Sequence, residues 1–276
     1  MALGFLAVAI GLWSGWAERH PQQERQLRGQ VQEQLQTRLP RAMQPPGNGY
    51  GIFRRHTGVD LGRRPGVLLV HGLDEPGGIW ADLVPALGAA GFDTWEFLYP
   101  NDQGVDISAD LLAASWSDLP ADQRLVLVGH SMGGLVIRDF VSRWRHPVAV
   151  PPRVAGASVQ GVILAGTPNQ GSDWARLRVW LELRDQWAAG RQSGFSPLGG
   201  LRDGTGAAKI DLVPGSAFLE QLNARPWPVT VPIGIIGGVL LESTPILGDG
   251  VVAAESLAMS GAPEPILVSA SHRGML

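Results

Sequence analysis

From Gly66 onward, short unbroken apolar runs alternate with longer stretches whose apolar residues recur three and four positions apart. The short runs at 67–70, 92–97, 125–128, 159–165, 229–236 and 266–269 are bounded by turn-forming residues and read as strands. The stretches at 79–89, 105–118, 134–145, 174–189 and 216–223 have helical spacing. In 134–145 the apolar face is Leu135, Val136, Ile137, Phe140, Val141 and Trp144, and Arg138, Asp139, Ser142, Arg143 and Arg145 lie on the other. Alternation of this kind predicts an α/β fold: a mostly parallel sheet with helices on both faces. No internal repeat breaks the pattern.

The first 49 residues follow a different rule. Met1 to Ala17 has no charged side chain, and Trp13 and Trp16 stand at its end. As a helix these seventeen residues reach about 25 Å, a little short of the ~30 Å bilayer core. An uncleaved single-pass membrane anchor is the expectation. Signal cleavage, leaving a secreted or periplasmic protein, is the alternative, although the basic n-region and a late small-x-small site are missing. A buried helix is the third reading. Residues 18–43 are polar, with Leu27, Val31, Leu35 and Leu39 forming one thin stripe. This reads as a stem on the membrane or on the body of the protein, or as a solvated connector. Five arginines against three glutamates in 18–41 favour a cytoplasmic carboxyl side. Pro45, Pro46, Gly47, Asn48 and Gly49 mark a linker. The expected division is therefore 1–17 anchor or signal, 18–49 stem and linker, and 50–276 catalytic domain, with 172–223 a candidate cap.

Composition removes several classes of function. A net charge of −3 with 17% charged residues gives no basic surface for nucleic acid. The absence of cysteine excludes disulfides, thiolate zinc sites and a cysteine nucleophile.

The candidate chemistry begins at Gly129-His130-Ser131-Met132-Gly133, a G-x-S-x-G sequence between an apolar strand and an amphipathic helix. In that context the turn lifts the serine hydroxyl out of the sheet as a nucleophile. A serine needs a base, and histidine suits neutral pH. Chains built on this elbow run serine, acid, histidine. Only His146 and His272 follow Ser131, and His146 closes the helix that leaves the elbow. His272, after the last strand, is the expected base. Of the intervening carboxylates, Asp249 follows a strand in a glycine turn and is the expected acid, with Glu242 as runner-up. Asp249 could instead cap a helix over 250–257. Oxyanion donors are expected at the backbone N–H groups of Met132 and of Leu73, the latter freed by the turn at Gly72. His71 is read as bracing that loop and His130 as packing in the elbow.

Gly129-His130-Ser131-Met132-Gly133-Gly134 and His71-Gly72-Leu73, with Gly166-Thr167-Pro168-Asn169-Gln170-Gly171-Ser172 and Gly248-Asp249-Gly250-Val251-Val252, resemble the bacterial esterases and triacylglycerol lipases of the α/β-hydrolase superfamily. The resemblance implies that fold, a Ser131-Asp249-His272 triad and ester hydrolysis. Some lipases of this group hold calcium near the histidine loop; no matching ligand set is legible here, so no metal or cofactor is expected. The expected partner is a small-molecule or lipid ester. In the candidate cap, Trp174, Leu177, Trp180, Leu181 and Trp187 form either an acyl-binding face or a helix packed on the sheet. The same triad could transfer an acyl group to an acceptor other than water. A non-catalytic interaction protein on this scaffold fits least, because all three residue types are in place.

Overall fold

The computed structural model describes residues 2–40, 43, 49–58, 64–73, 75, 78–177, 204–240 and 248–276. Its centre is a seven-stranded sheet in the order β1-β3-β2-β4-β5-β6-β7. The strands are β1 Gly51–His56, β2 Gly66–Val70, β3 Thr94–Leu98, β4 Arg124–His130, β5 Ser158–Ala165, β6 Ile233–Val239 and β7 Ile266–Ser269. All neighbouring pairs are parallel except β1 with β3. Every residue of β2 is buried, as expected of a strand covered on both faces, and this is why it reads as a continuous apolar run.

Among the described residues the α-helices are α1 Ala2–Arg19, α2 Pro21–Arg38, α3 Leu83–Ala89, α4 Val105–Ser115, α5 Met132–Phe140, α6 Ala207–Asp211 and α7 Ala217–Ala224. The larger core joins Leu68, Val70, Phe97, Leu125 and Leu127 of the sheet to Leu112, Leu135 and Phe140 of α4 and α5. On the other face, Val67, Leu69 and Trp80 pack with Leu83, Val84 and Leu87 of α3. The α/β architecture with helices on both faces is therefore as the alternation predicts.

Three boundaries differ for physical reasons. Strand β1 has no apolar run: it is an edge strand with three exposed residues at its end, tied to β3 by Arg54–Asp93 at 2.6 Å and Arg55–Glu96 at 2.5 Å. Strand β6 begins at Ile233, not 229. Val229 is 99% exposed, and Pro228 and Pro232 cannot donate to a ladder. No helix runs over 250–257; a short 3₁₀ turn, Ala254–Leu257, is what forms there.

The N-terminal expectation is corrected. Among the described residues no helix is long and apolar enough to cross a membrane, so the single-pass segment is not supported. Helix α1 has 18 residues, about 27 Å, and its last turn carries Glu18 and Arg19. Helix α2 lies on the α/β body, but not through its leucine stripe. Leu27, Val31 and Leu39 are exposed, whereas Arg25 pairs with Asp211 at 2.5 Å and with Asp106 at 2.6 Å. Arg28 donates to the Thr205 carbonyl, and the Thr205 hydroxyl donates back to the Arg28 carbonyl at 2.8 Å. The linker at 45–48 and half of the candidate cap, including Trp180, Leu181 and Trp187, lie outside the described residues.

Candidate active site

Because β2 to β7 are mutually parallel, their carboxyl ends share one edge of the sheet, where loops converge. Ser131 stands at the end of β4, just before α5, with φ 52° and ψ −127°. A non-glycine residue at positive φ is strained, and such strain collects at functional turns. The turn is held by a hydrogen bond from Ser131 N–H to the Ala165 carbonyl at 2.8 Å. Its glycine pattern is steric: a Cβ on Gly133 would stand 2.1 Å from the Val70 carbonyl oxygen. Met132 is the first residue of α5, where a backbone N–H has no partner inside the helix.

Asp249 follows β6. Its Oδ1 accepts from Val251 N–H at 2.9 Å and Val252 N–H at 2.8 Å, and its Oδ2 lies 2.7 Å from His272 Nδ1. The His272 N–H also donates to the Asp249 carbonyl at 3.1 Å, so backbone and side chain are fastened together. Burial on its own raises the Asp249 pKa, but the hydrogen bond and charge of His272 and the two backbone N–H groups outweigh it and hold the carboxyl below its usual range. Glu242 lies outside the described residues.

The His272 ring is placed against the end of β5, since a Cβ on Gly166 would meet its Cε1 and Nδ1 at 3.2 Å. Ser131 is fixed to Ala165, the residue before. Serine and imidazole thus flank one strand end. Among the described residues the Asp249–His272 arm is closed by a hydrogen bond and the His272–Ser131 arm is not; such bonds are often loose until substrate arrives.

The loop carrying Leu73 passes the serine so closely that a Cβ on Gly72 would stand 2.8 Å from Ser131 Cβ. His71 braces that loop, as expected: its Nδ1 lies 2.9 Å from the Gly72 carbonyl and its ring stacks on Tyr99 at 4.5 Å. Tyr99 donates to the His71 carbonyl at 2.5 Å. Burial lowers the His71 pKa, which keeps that ring neutral. His146 lies after Val141–Arg145, beyond the far end of α5.

Two residues were underread. His130 is fully buried and hydrogen-bonded, not just packed: its Nδ1 lies 2.7 Å from Glu75 Oε2 and its Nε2 lies 2.8 Å from the His272 carbonyl. Glu75 also accepts from Gly72 N–H at 3.1 Å and from Arg273 Nε at 3.2 Å. A carboxylate three residues beyond the Gly72 turn was the available signal. Glu75, His130 and His272 are close enough together to hold a metal ion. In this structure the hydrogen bonds just given and the Asp249–His272 bond already use Glu75, both His130 nitrogens and His272 Nδ1.

Comparison with known proteins gives a consistent picture of the fold. Bacillus licheniformis lipase BlEst2 in its mature form aligns with TM-score 0.58 at 18% identity over 83% of this chain and 93% of that one. Staphylococcus hyicus lipase aligns with TM-score 0.53 at 14% identity, covering 76% and 88%. YbtT, a type II thioesterase of the yersiniabactin pathway, aligns with TM-score 0.52 at 16% identity, covering 80% and 90%. No curated protein matches the sequence. The model of the alpha/beta hydrolase family matches residues 67–276, from β2 through the His272 loop, and the chain belongs to that family.

Proposed function

We propose that the protein is a serine carboxylic-ester hydrolase that works through an acyl-enzyme, with Ser131 as nucleophile, His272 as base and Asp249 as the orienting acid. The observation that carries this reading is the 2.7 Å Asp249–His272 hydrogen bond at the same sheet edge as the strained Ser131. In the first half-reaction His272 Nε2 takes the Ser131 proton as the oxygen attacks the ester carbonyl. Asp249 holds Nδ1–H and stabilises the imidazolium. Leu73 and Met132 N–H groups receive the oxyanion. Collapse breaks the ester C–O bond, and the proton passes from His272 to the departing alcohol. Water then attacks the acyl-enzyme by the same route, giving the free acid and restoring the Ser131 hydroxyl.

Lipase and thioesterase relatives of the same fold support acyl esters as the substrate class. The test is a p-nitrophenyl ester chain-length series on the purified full chain. The proposal expects a turnover that Ser131→Ala abolishes, with free acid as the product. Turnover unchanged in Ser131→Ala would overturn it, and acyl transfer to an added alcohol in preference to water would change the reaction class.

A further inference from the structure

Glu75 and His130 are buried titratable groups at this edge to which the proposed mechanism gives no role. The His130 ring is held at both ends by acceptors. Nδ1 faces a carboxylate oxygen of Glu75 at 2.7 Å, and Nε2 faces the His272 backbone carbonyl at 2.8 Å. A neutral imidazole has one N–H, and a carbonyl cannot donate. Satisfying both bonds therefore needs one proton more than a neutral ring and a carboxylate contain. Glu75 Oε2 also accepts from Gly72 N–H, and Oε1 accepts from Arg273 Nε–H. With donors on both oxygens, the carboxylate is the better site for the negative charge and the ring for the proton.

We infer that Glu75 and His130 form a carboxylate–imidazolium pair that positions the three catalytic elements against one another. Glu75 holds the oxyanion loop through Gly72 and the C-terminal loop through Arg273. His130, adjacent to Ser131, holds the backbone of His272, while Asp249 holds its ring. Both are positioning residues, and the inference rests on the proposed role of His272 as base. Burial on its own raises the Glu75 pKa, but the hydrogen bond and charge of His130, followed by His272 and Gly72 N–H, bring it below the usual value, consistent with an ionised Glu75. The groups facing the pair are His71 from the loop after β2, Tyr99 from the end of β3, and His272 and Arg273 from the C-terminal loop with Asp249 behind them.

The test has a structural and a kinetic arm, both on the full chain. In long-range proton–nitrogen spectra of wild-type protein at neutral pH, His130 is expected to carry protons on both ring nitrogens. A bare nitrogen on that ring overturns the inference without any substitution. In kinetics on p-nitrophenyl butyrate, Glu75→Gln should lower kcat about 10–100-fold, the equivalent of one charged hydrogen bond, with KM nearly unchanged. A loss carried by KM instead of kcat rejects the positioning role. If Ser131→Ala or His272→Ala retains full activity, the underlying reading fails; if both are inactive and Glu75→Gln behaves as wild type, only the pair fails.

Discussion

Asp249 and Asp211 are both almost fully buried, at 3% and 1% exposure, and each is bonded to a basic side chain and to backbone N–H. Their pKa values nevertheless move in opposite directions. At both sites burial is the largest influence and favours the neutral acid. At Asp249 the His272 ring and two backbone N–H groups overcome it. At Asp211 the Arg25 guanidinium and Val105 N–H do not, and the neighbouring Asp106 adds repulsion, so the pKa stays raised. Burial alone therefore does not set the direction of the shift. The partner distinguishes them: an imidazole gains and loses a proton near neutral pH, whereas a guanidinium stays charged and supplies only a tether. Asp249 lies at the edge where six parallel strands end, and Asp211 lies where α2 meets α6.

The largest expected effect is at the serine and its base. Ser131→Ala should lower ester hydrolysis by about 10⁴–10⁶-fold, and His272→Ala nearly as much, because such residues act as a unit. His146→Ala, beyond the far end of the same helix, should retain most activity. An inactive His146→Ala beside an active His272→Ala would reverse the assignment of the base.

The two aspartates give the next contrast. Asp249→Asn should lower kcat by up to about 10⁴-fold, since an amide can hold the imidazole in the wrong tautomer. Asp211→Asn should leave kcat within about threefold and change thermal stability instead, as expected for a substitution that alters folding rather than the reacting groups. Equal kinetic losses at both positions would erase the distinction drawn above.

Arg25→Ala tests the tether itself. It strips a buried carboxylate of its main counter-charge, and the cost is about 2 kcal/mol, below the usual range for a broken buried pair because Arg25 keeps part of its exposure. A lower Tm with unchanged kcat is the expected result. The sign with pH follows from the raised Asp211 pKa. Below that value the group is neutral and needs no partner, so the Tm difference should shrink as pH falls and grow as pH rises through it. A pH-independent difference would show that packing, not charge, makes the contact.

The sequence made the fold legible wherever strands are buried on both faces, as in β2, because there burial leaves only apolar residues. It failed at β1, an edge strand whose Arg54 and Arg55 are chosen for ion pairs, and at β6, where Pro228 and Pro232 delay a run that looks continuous. Ser131, Asp249 and His272 stand out in the sequence because chain order and strand ends constrain the proposed roles, and the structure brings the last two into contact. Glu75 does not stand out, since its contact is with a ring 55 positions away. The docking of the N-terminal segment was hidden for a related reason. Helix α2 docks by Arg25 and Arg28, which composition reads as solvated charge.

The central claim is that Ser131 is the nucleophile, and covalent capture tests it most directly. Full-length protein treated with an alkyl phosphonate ester is digested and the modified peptide is sequenced by mass spectrometry. The account predicts one phosphonyl adduct, on Ser131, absent from Ser131→Ala and formed far more slowly in His272→Ala. An adduct on another residue, or equal labelling of wild type and Ser131→Ala, would contradict it.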